Sequence, residues 1–172
     1  MSVKTLVAYA SKSGGTEQFA HAIGEVMRFA CRTVGVQIVD KVDTLDGNQA
    51  VVLGSAVYVG QWRKEAVTFL EANETSLASR QVWLFSSGPT GVGDPVELVK
   101  GVRLPGALQP VADRIRPRDI AFSHGVLDTK KVSLAERLVI KGVKAPVGDF
   151  RDWEQIRAWA ASIASALSEG SG

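Results

Sequence analysis

The sequence predicts an α/β fold: a three-layer sandwich in which a five-stranded parallel sheet, strand order 2-1-3-4-5, carries helices on both faces. Three observations lead there. Short apolar runs alternate with stretches whose apolar residues recur at helical spacing, the pattern of strand–helix–strand crossovers. The run Ala50-Val51-Val52-Leu53-Gly54-Ser55 is apolar on both faces, as a central strand covered from each side must be. The turn Ser11-Lys12-Ser13-Gly14-Gly15-Thr16 joins a strand to the start of a helix. With 172 residues, 45% of them hydrophobic, the chain is long enough for one domain with a two-sided core. That domain is expected over residues 1–168, with a flexible tail over 169–172.

Taken in order, Val3 to Tyr9 reads as the first strand. Glu17 to Arg32 follows as a helix with Phe19, Ile23, Val26 or Met27 and Ala30 on one stripe, and Glu17 placed near its positive end. His21 falls off that stripe and reads as solvated. Cys31, the only cysteine, reads as an inert buried thiol. Val36 to Val39 is a short second strand and Ala50 to Ser55 the third. A helix spans about Arg63 to Ala72, with Ala66, Phe69 and Leu70 inward. Arg80 to Ser86 is the fourth strand, with Trp83 in its core, and the turn-rich loop Ser87 to Asp94 follows. Pro95 and Pro105 interrupt any regular element before a helix at Ala107 to Ile115. Asp119 to His124 is the fifth strand, with a continuation through Gly125 to Leu127. Lys131 to Val143 has helical spacing with Leu134, Leu138 and Val139 inward. The last helix runs to Leu167 from Asp149 or Asp152, Asp149 being a good cap.

On such sheets ligands bind beyond the carboxyl ends of the strands, near the point where the strand order reverses. Three loops should meet there, those after the first, third and fourth strands. In the first, Gly14 and Gly15 allow close backbone approach, and Ser11, Ser13 and Thr16 add hydroxyls. The helix that follows presents unbonded N–H groups and the positive end of its dipole, so the turn can cup a terminal phosphate without an arginine. It is neither a G-x-x-x-x-G-K-[ST] P-loop nor a G-x-G-x-x-G dinucleotide turn. The second loop, Ala56-Val57-Tyr58-Val59-Gly60-Gln61-Trp62, offers Tyr58 and Trp62 to a flat ring. Its Gly60 permits a peptide that presents a carbonyl or N–H to that ring's polar edge. The third, Ser87 to Asp94, is flexible and glycine-rich, with Ser87-Gly88-Pro89-Thr90-Gly91 as its candidate cofactor-binding part. Near the end of the fifth strand His124 reads first as a structural histidine, and is the one titratable group to test as a catalytic base.

The pattern S-x-S-G-x-T resembles the [ST]-x-[ST]-G-x-[ST] phosphate loop of flavodoxins. The segments Tyr9 to Thr16, Gly54 to Trp62, Val82 to Pro89 and Gly148 to Trp153 are similar to the flavodoxin-domain family, which includes menaquinone-dependent protoporphyrinogen IX dehydrogenases. The resemblance runs from the first strand to the last helix. It implies a flavodoxin-like fold and FMN as cofactor. The residues implied for the cofactor are Ser11, Lys12, Ser13, Gly14, Gly15, Thr16, Ala56, Val57, Tyr58, Gly60, Gln61, Trp62, Ser87, Gly88, Pro89, Thr90 and Gly91. It also implies an FMN-dependent oxidoreductase of protoporphyrinogen dehydrogenase type, with a small-molecule redox substrate and a quinone or protein electron acceptor.

Charge bears on that choice. The net charge is +2, whereas electron-carrier flavodoxins resemble one another in being strongly acidic. Between Glu97 and Lys144 ten basic residues face five acidic ones. That excess suits a substrate bearing carboxylates or an anionic lipid surface, and a solvated basic face is the plain alternative. No nucleic-acid-binding module accompanies it. With one cysteine there is no disulfide framework and no thiolate metal cluster, and no metal site is expected. No apolar run nears the roughly 20 residues of a membrane span, and no signal segment opens the chain. A cytoplasmic protein is expected, with peripheral contact at the inner membrane face as a further option. Two alternatives to the enzyme stay open: a non-enzymatic flavodoxin-type electron carrier that docks to protein redox partners, and a regulatory protein that keeps the fold without using a flavin.

Overall fold

The computed structural model describes residues 3–30 and 33–170, so the expectation for Cys31 and the last two residues of the tail lie outside the described residues. The elements are β1 (Thr5–Ala10), α1 (Gly15–Ala30), β2 (Val34–Ile38), β3 (Ala50–Tyr58), β4 (Gln61–Trp62), α2 (Lys64–Ala72), α3 (Glu74–Ala78) and β5 (Gln81–Ser87). There follow α4 (Pro95–Leu98), α5 (Gln109–Ile115), β6 (Asp119–Ser123), β7 (Val126–Leu127), α6 (Leu134–Val143), β8 (Gly148–Asp149) and α7 (Trp153–Glu169).

The five long strands form a parallel sheet in the order β2-β1-β3-β5-β6, the flavodoxin order. β4 adds a short antiparallel partner to the end of β3. Burial follows position. β1 is buried at all six residues, β3 from Ala50 to Ser55 and β5 from Val82 to Ser87, because helices cover both faces, whereas the edge strand β2 alternates. Since successive side chains point to opposite faces, β1 sends Leu6, Ala8 and Ala10 into one core and Val7 and Tyr9 into the other. The first core is closed by Leu70, Leu77, Leu108 and Ile115, and the second by Phe19, Ile23, Met27, Ile156, Ile163 and Leu167 from α1 and α7.

Gly54 and Phe85 lie opposite each other in neighbouring strands, and a side chain at Gly54 would strike the Phe85 ring. The cleared space lets Phe85 stack on Phe19, centroids 5.2 Å apart and planes 6° from parallel. Trp83 is core, as its neighbours in the strand predict.

Several local expectations give way. The fifth strand stops at Ser123, and Val126–Leu127 pairs instead with Gly148–Asp149 in a separate two-stranded ladder. Asp152, not Asp149, caps α7 by accepting from the Gln155 N–H at 3.0 Å, while Asp149 is drawn off to Arg151. In α6 the inward residues are not Leu134 and Leu138, which are 77% and 72% exposed, but Glu136, Val139, Ile140 and Val143. The helix rests over the carboxyl ends of the strands instead of on the sheet, so its inner side faces a cavity.

Candidate functional site

The turn between β1 and α1 is held from several sides. Gly14 has φ +85°, and its N–H donates to Ser11 Oγ at 3.1 Å. The first helical bond runs from the Gln18 N–H to the Gly14 carbonyl, so the N–H groups of Gly15, Thr16 and Glu17 have no acceptor within the helix. Ser11, Lys12, Ser13, Gly15 and Thr16 all line one cavity of about 660 Å³, and Thr16 is only 2% exposed. A Cβ on Gly15 would lie 2.5 Å from Val126 Cγ1, so the absent side chain is what lets β7 close on the turn.

Arg151 fixes the same turn from below. Its Nη1 donates to the Gly15 carbonyl at 3.1 Å and to Gln18 Oε1 at 2.7 Å, while Nε and Nη2 grip both oxygens of Asp149 at 2.9 and 2.6 Å. The guanidinium also lies over the Trp153 ring, 4.6 Å from its centroid. The Arg151 hydrogen bonds hold the Asp149 carboxyl below its ordinary range against the opposing effect of burial. At the end of β1 the Tyr9 phenol is pushed up, first by burial and then by the Glu17 carboxylate.

The second loop is a hairpin. β3 runs on to Tyr58 and returns as β4 through Val59 and Gly60, which have φ +50° and +70°. Consecutive left-handed residues make the turn that matches strand twist, a conformation natural to glycine and strained for a β-branched valine. Trp62 is not the open platform expected. It lines the cavity but is 4% exposed, and its indole N–H donates to Ser86 Oγ at 2.8 Å. Tyr58, 42% exposed, is the aromatic surface presented, with Lys12 Nζ 5.7 Å from its ring centroid. Ala56, Val57 and Gln61 also line the cavity; Gly60 shapes the turn without lining it.

Of the third loop only Ser87 and Thr90 reach the lining. Gly88, Pro89 and Gly91 stand outside it, Gly88 because Phe122 packs where its side chain would be. His124 is not placed as a base. It is 8% exposed and absent from the lining, and its ring nitrogens lie 2.9 Å from the Pro89 carbonyl and 2.6 Å from the Gly93 carbonyl, so it staples the loop to the end of β6.

A fourth wall comes from the excursion between β7 and β8. Val132, Glu136, Val139, Ile140, Val143 and Ala145 face the phosphate-type turn across the cavity. Glu136 does two jobs. Its Oε2 accepts the Ser133 N–H at 2.8 Å in a capping box, and its Oε1 is paired with Lys12 Nζ. The S-x-x-E spacing of Ser133 and Glu136 could have been found in the sequence. The Lys12 partnership, 124 positions away, and the Arg151 clamp could not. Among the described residues no cluster of His, Cys, Asp or Glu could hold a metal, and no helix is long and apolar enough to cross a membrane. The expected basic region does not form one face: Arg114 pairs with Glu74 and Arg118 lies over Trp83, whereas Lys130, Lys131, Arg137, Lys141 and Lys144 belong to the excursion.

A doubly wound sheet of this order, with an anion cup beyond β1 and a broad cavity beside it, defines a mononucleotide-binding α/β protein of the flavodoxin class. A family model described as a flavodoxin domain matches residues 6–153, and the chain belongs to that family. No curated protein matches the sequence. Among solved structures, a flavodoxin from the domain Archaea shares 17% identity at TM-score 0.62, over 96% of this chain and 99% of that one. Oxidised flavodoxin 2 from Bacillus cereus shares 22% at TM-score 0.59, over 98% and 99%. Rubredoxin oxygen:oxidoreductase from Desulfovibrio gigas shares 16% at TM-score 0.62, over 96% of this chain but 36% of that one. These likenesses are likenesses of fold. The cofactor is FMN, which makes the chain an FMN-binding redox protein. The site fits it: unbonded helix N–H groups and hydroxyls suit a dianion, and the adjoining cavity is within the size range of ligand pockets.

Proposed function

We propose that the chain is an FMN-dependent oxidoreductase that acts on a reduced organic small molecule and uses a quinone as acceptor. The observation that carries this is that α6 lines the same cavity as the FMN phosphate turn and is tied to that turn through Lys12 and Glu136, which adds an apolar side to the site. Ser11, Ser13, Gly15 and Thr16 would hold the phosphate through backbone N–H groups and hydroxyls, with Gly14 shaping the turn. Tyr58 and the Val57 to Trp62 hairpin would border the ring, and Ser87 and Thr90 line the same cavity. Bound FMN supplies the two-electron redox chemistry, and the protein supplies position and electrostatics. Lys12, paired with Glu136, ties α6 to the phosphate-type turn. Arg151 positions the turn itself through the Gly15 carbonyl. Trp62 and Ser86 fix the floor. In each turnover the substrate gives up two electrons and two protons and one quinone becomes a quinol.

Protoporphyrinogen IX is the first substrate to test, because the sequence resembles that branch of the family and Lys64 on the lining could meet one of its carboxylates. A second reading, a flavodoxin-type carrier, is favoured by the exposed turn tip, where Val59 is 74% and Tyr58 42% exposed beside the cavity. The outer side of α6, with Leu134, Leu138, Lys141 and the neighbouring cations, is where peripheral contact with an anionic membrane would fall.

The deciding experiment starts with the absorption spectrum of protein purified without added flavin. Anaerobic assays with protoporphyrinogen and menadione, and with a flavodoxin reductase, follow. Substrate oxidation coupled to quinol formation supports the enzyme; reduction by the reductase alone, with no small-molecule turnover, supports the carrier; a chain that takes up no FMN refutes both.

A further inference from the structure

Residues 128–147 form an arm with a pinned base and a lightly held tip. The base is the ladder of β7 and β8, fixed in three ways. Val126 packs against Gly15, the Phe150 N–H donates to the Gly125 carbonyl at 3.2 Å, and Asp149 is gripped by the same Arg151 that holds the Gly15 carbonyl. The tip has no such support. No residue of 128–147 belongs to either core, and α6 buries only Ile140. Among the described residues the hydrogen bonds of the arm stay within it, as from Arg137 Nε to the Thr129 carbonyl at 2.8 Å. Its polar tie to the rest of the protein is the pairing of Glu136 with Lys12. Where α6 returns to the ladder, Lys144 and Gly148 have φ +52° and +142°, and element ends of this kind are where hinges absorb a change of direction.

That pair stands where three walls of the cavity meet. Lys12 belongs to the anion turn, and its Nζ lies 5.7 Å from the Tyr58 ring centroid, while Glu136 sits among Val132, Val139, Ile140 and Val143 on the arm's side of the lining. The turn itself is only partly open. Ser11, Ser13, Gly14 and Gly15 are half-buried and Thr16 is buried, with Val126 from the arm's base lying on Gly15. Resting on the FMN reading above, we propose that residues 128–147 are a lid on the flavin site, latched by Lys12 and Glu136, which swings away for the flavin to enter or leave. The latch is built to yield. Exposed ion pairs shift an equilibrium by up to about fivefold, and this pair keeps one partner, Lys12, 48% exposed. A latch made in the empty and the loaded protein alike slows entry and release by the same factor, so it sets the rate of flavin exchange and not the affinity.

Stopped-flow mixing of apoprotein with FMN or riboflavin, followed by loss of flavin fluorescence, reads entry, and dilution of the loaded protein reads release. Glu136→Gln removes the charge and keeps the cap, because an amide oxygen also accepts the Ser133 N–H. It should speed entry and release of FMN together by about three- to fivefold and leave Kd within about twofold. Glu65→Gln, which removes a carboxylate from the same lining but not from the arm, should leave both rates unchanged. Riboflavin has no phosphate, so salt acts on its exchange through the latch and not through the anion turn. Raising salt from about 0.01 M to about 1 M shortens the screening length from about 30 Å to about 3 Å, and should speed riboflavin exchange in the wild type but not in Glu136→Gln. Unchanged FMN exchange in Glu136→Gln, equal acceleration by Glu65→Gln, or salt-insensitive riboflavin exchange in the wild type would overturn the lid. So would faster release with unchanged entry, which would make Glu136 part of the flavin's binding surface. A wild-type chain that binds neither flavin refutes the FMN reading itself, and the inference with it.

Discussion

Replacing Ser13 by alanine is the cleanest test of how the phosphate is held. Ser11 is a poor choice because its Oγ accepts the Gly14 N–H, so removing it also unmakes the turn. Thr16 is 2% exposed, and its truncation would disturb packing as well as polarity. Ser13 lines the cavity, is partly exposed and belongs to neither core, so its substitution removes a hydroxyl and little else. A hydrogen bond to a charged group contributes about 1.5–3 kcal/mol, which converts to roughly 10–150-fold in Kd. FMN should weaken by that factor. Riboflavin, which lacks the phosphate, should stay within about twofold. Titration of apoprotein into each flavin, followed by loss of flavin fluorescence, measures both. The thermal stabilisation by saturating FMN should shrink in step, because a ligand of the native state raises stability only as far as its affinity allows. Equal losses for the two flavins, or no loss for FMN, would show that the dianion is held elsewhere.

Three further outcomes follow from the geometry. Val59→Asn places a residue suited to left-handed φ at the hairpin tip and should stabilise the protein by about 1 kcal/mol, a rise in Tm of roughly 2–4 °C by scanning calorimetry, whereas unchanged Tm would mean the +50° φ carries no strain. Asp149 has its carboxyl pKa depressed by Arg151, so its contribution is fully present above the unfolded value near 3.9 and fades as pH falls through the lower folded value. The stability difference between wild type and Asp149→Asn should therefore be constant from about pH 5 upward and vanish in acid, and a difference that grows in acid would refute the clamp. His124→Gln should loosen the Pro89 to Gly93 loop at a cost on the order of 1 kcal/mol, leaving the pH profile of turnover unmoved, while loss of a titrating limb would restore it as a base.

The sequence by itself determined the sheet and the cup. β1 and β3 are apolar over most of their length and β5 over Val82 to Phe85, as strands covered on both faces are, and the glycines and hydroxyls of residues 11–16 sit between a strand and a helix whose dipole direction follows from chain order alone. Each of those signals is local, a matter of neighbours within a few positions. The tertiary structure decided what closes the site. Helical spacing identified α6 as a helix but could not say which side meets protein, and Leu134 and Leu138 face solvent because the helix spans a cavity instead of lying on the sheet. Trp62 reads as a ring platform until the β3–β4 hairpin folds it against Ser86, and His124, readable as a structural histidine or a base, has its nitrogens taken by two carbonyls of another loop. Arg151 on Gly15 and Lys12 on Glu136 join positions more than 120 residues apart. No short-range periodicity encodes such pairings. They exist because the parallel sheet gathers the ends of distant strands at one edge, where side chains with no relation in sequence become first neighbours.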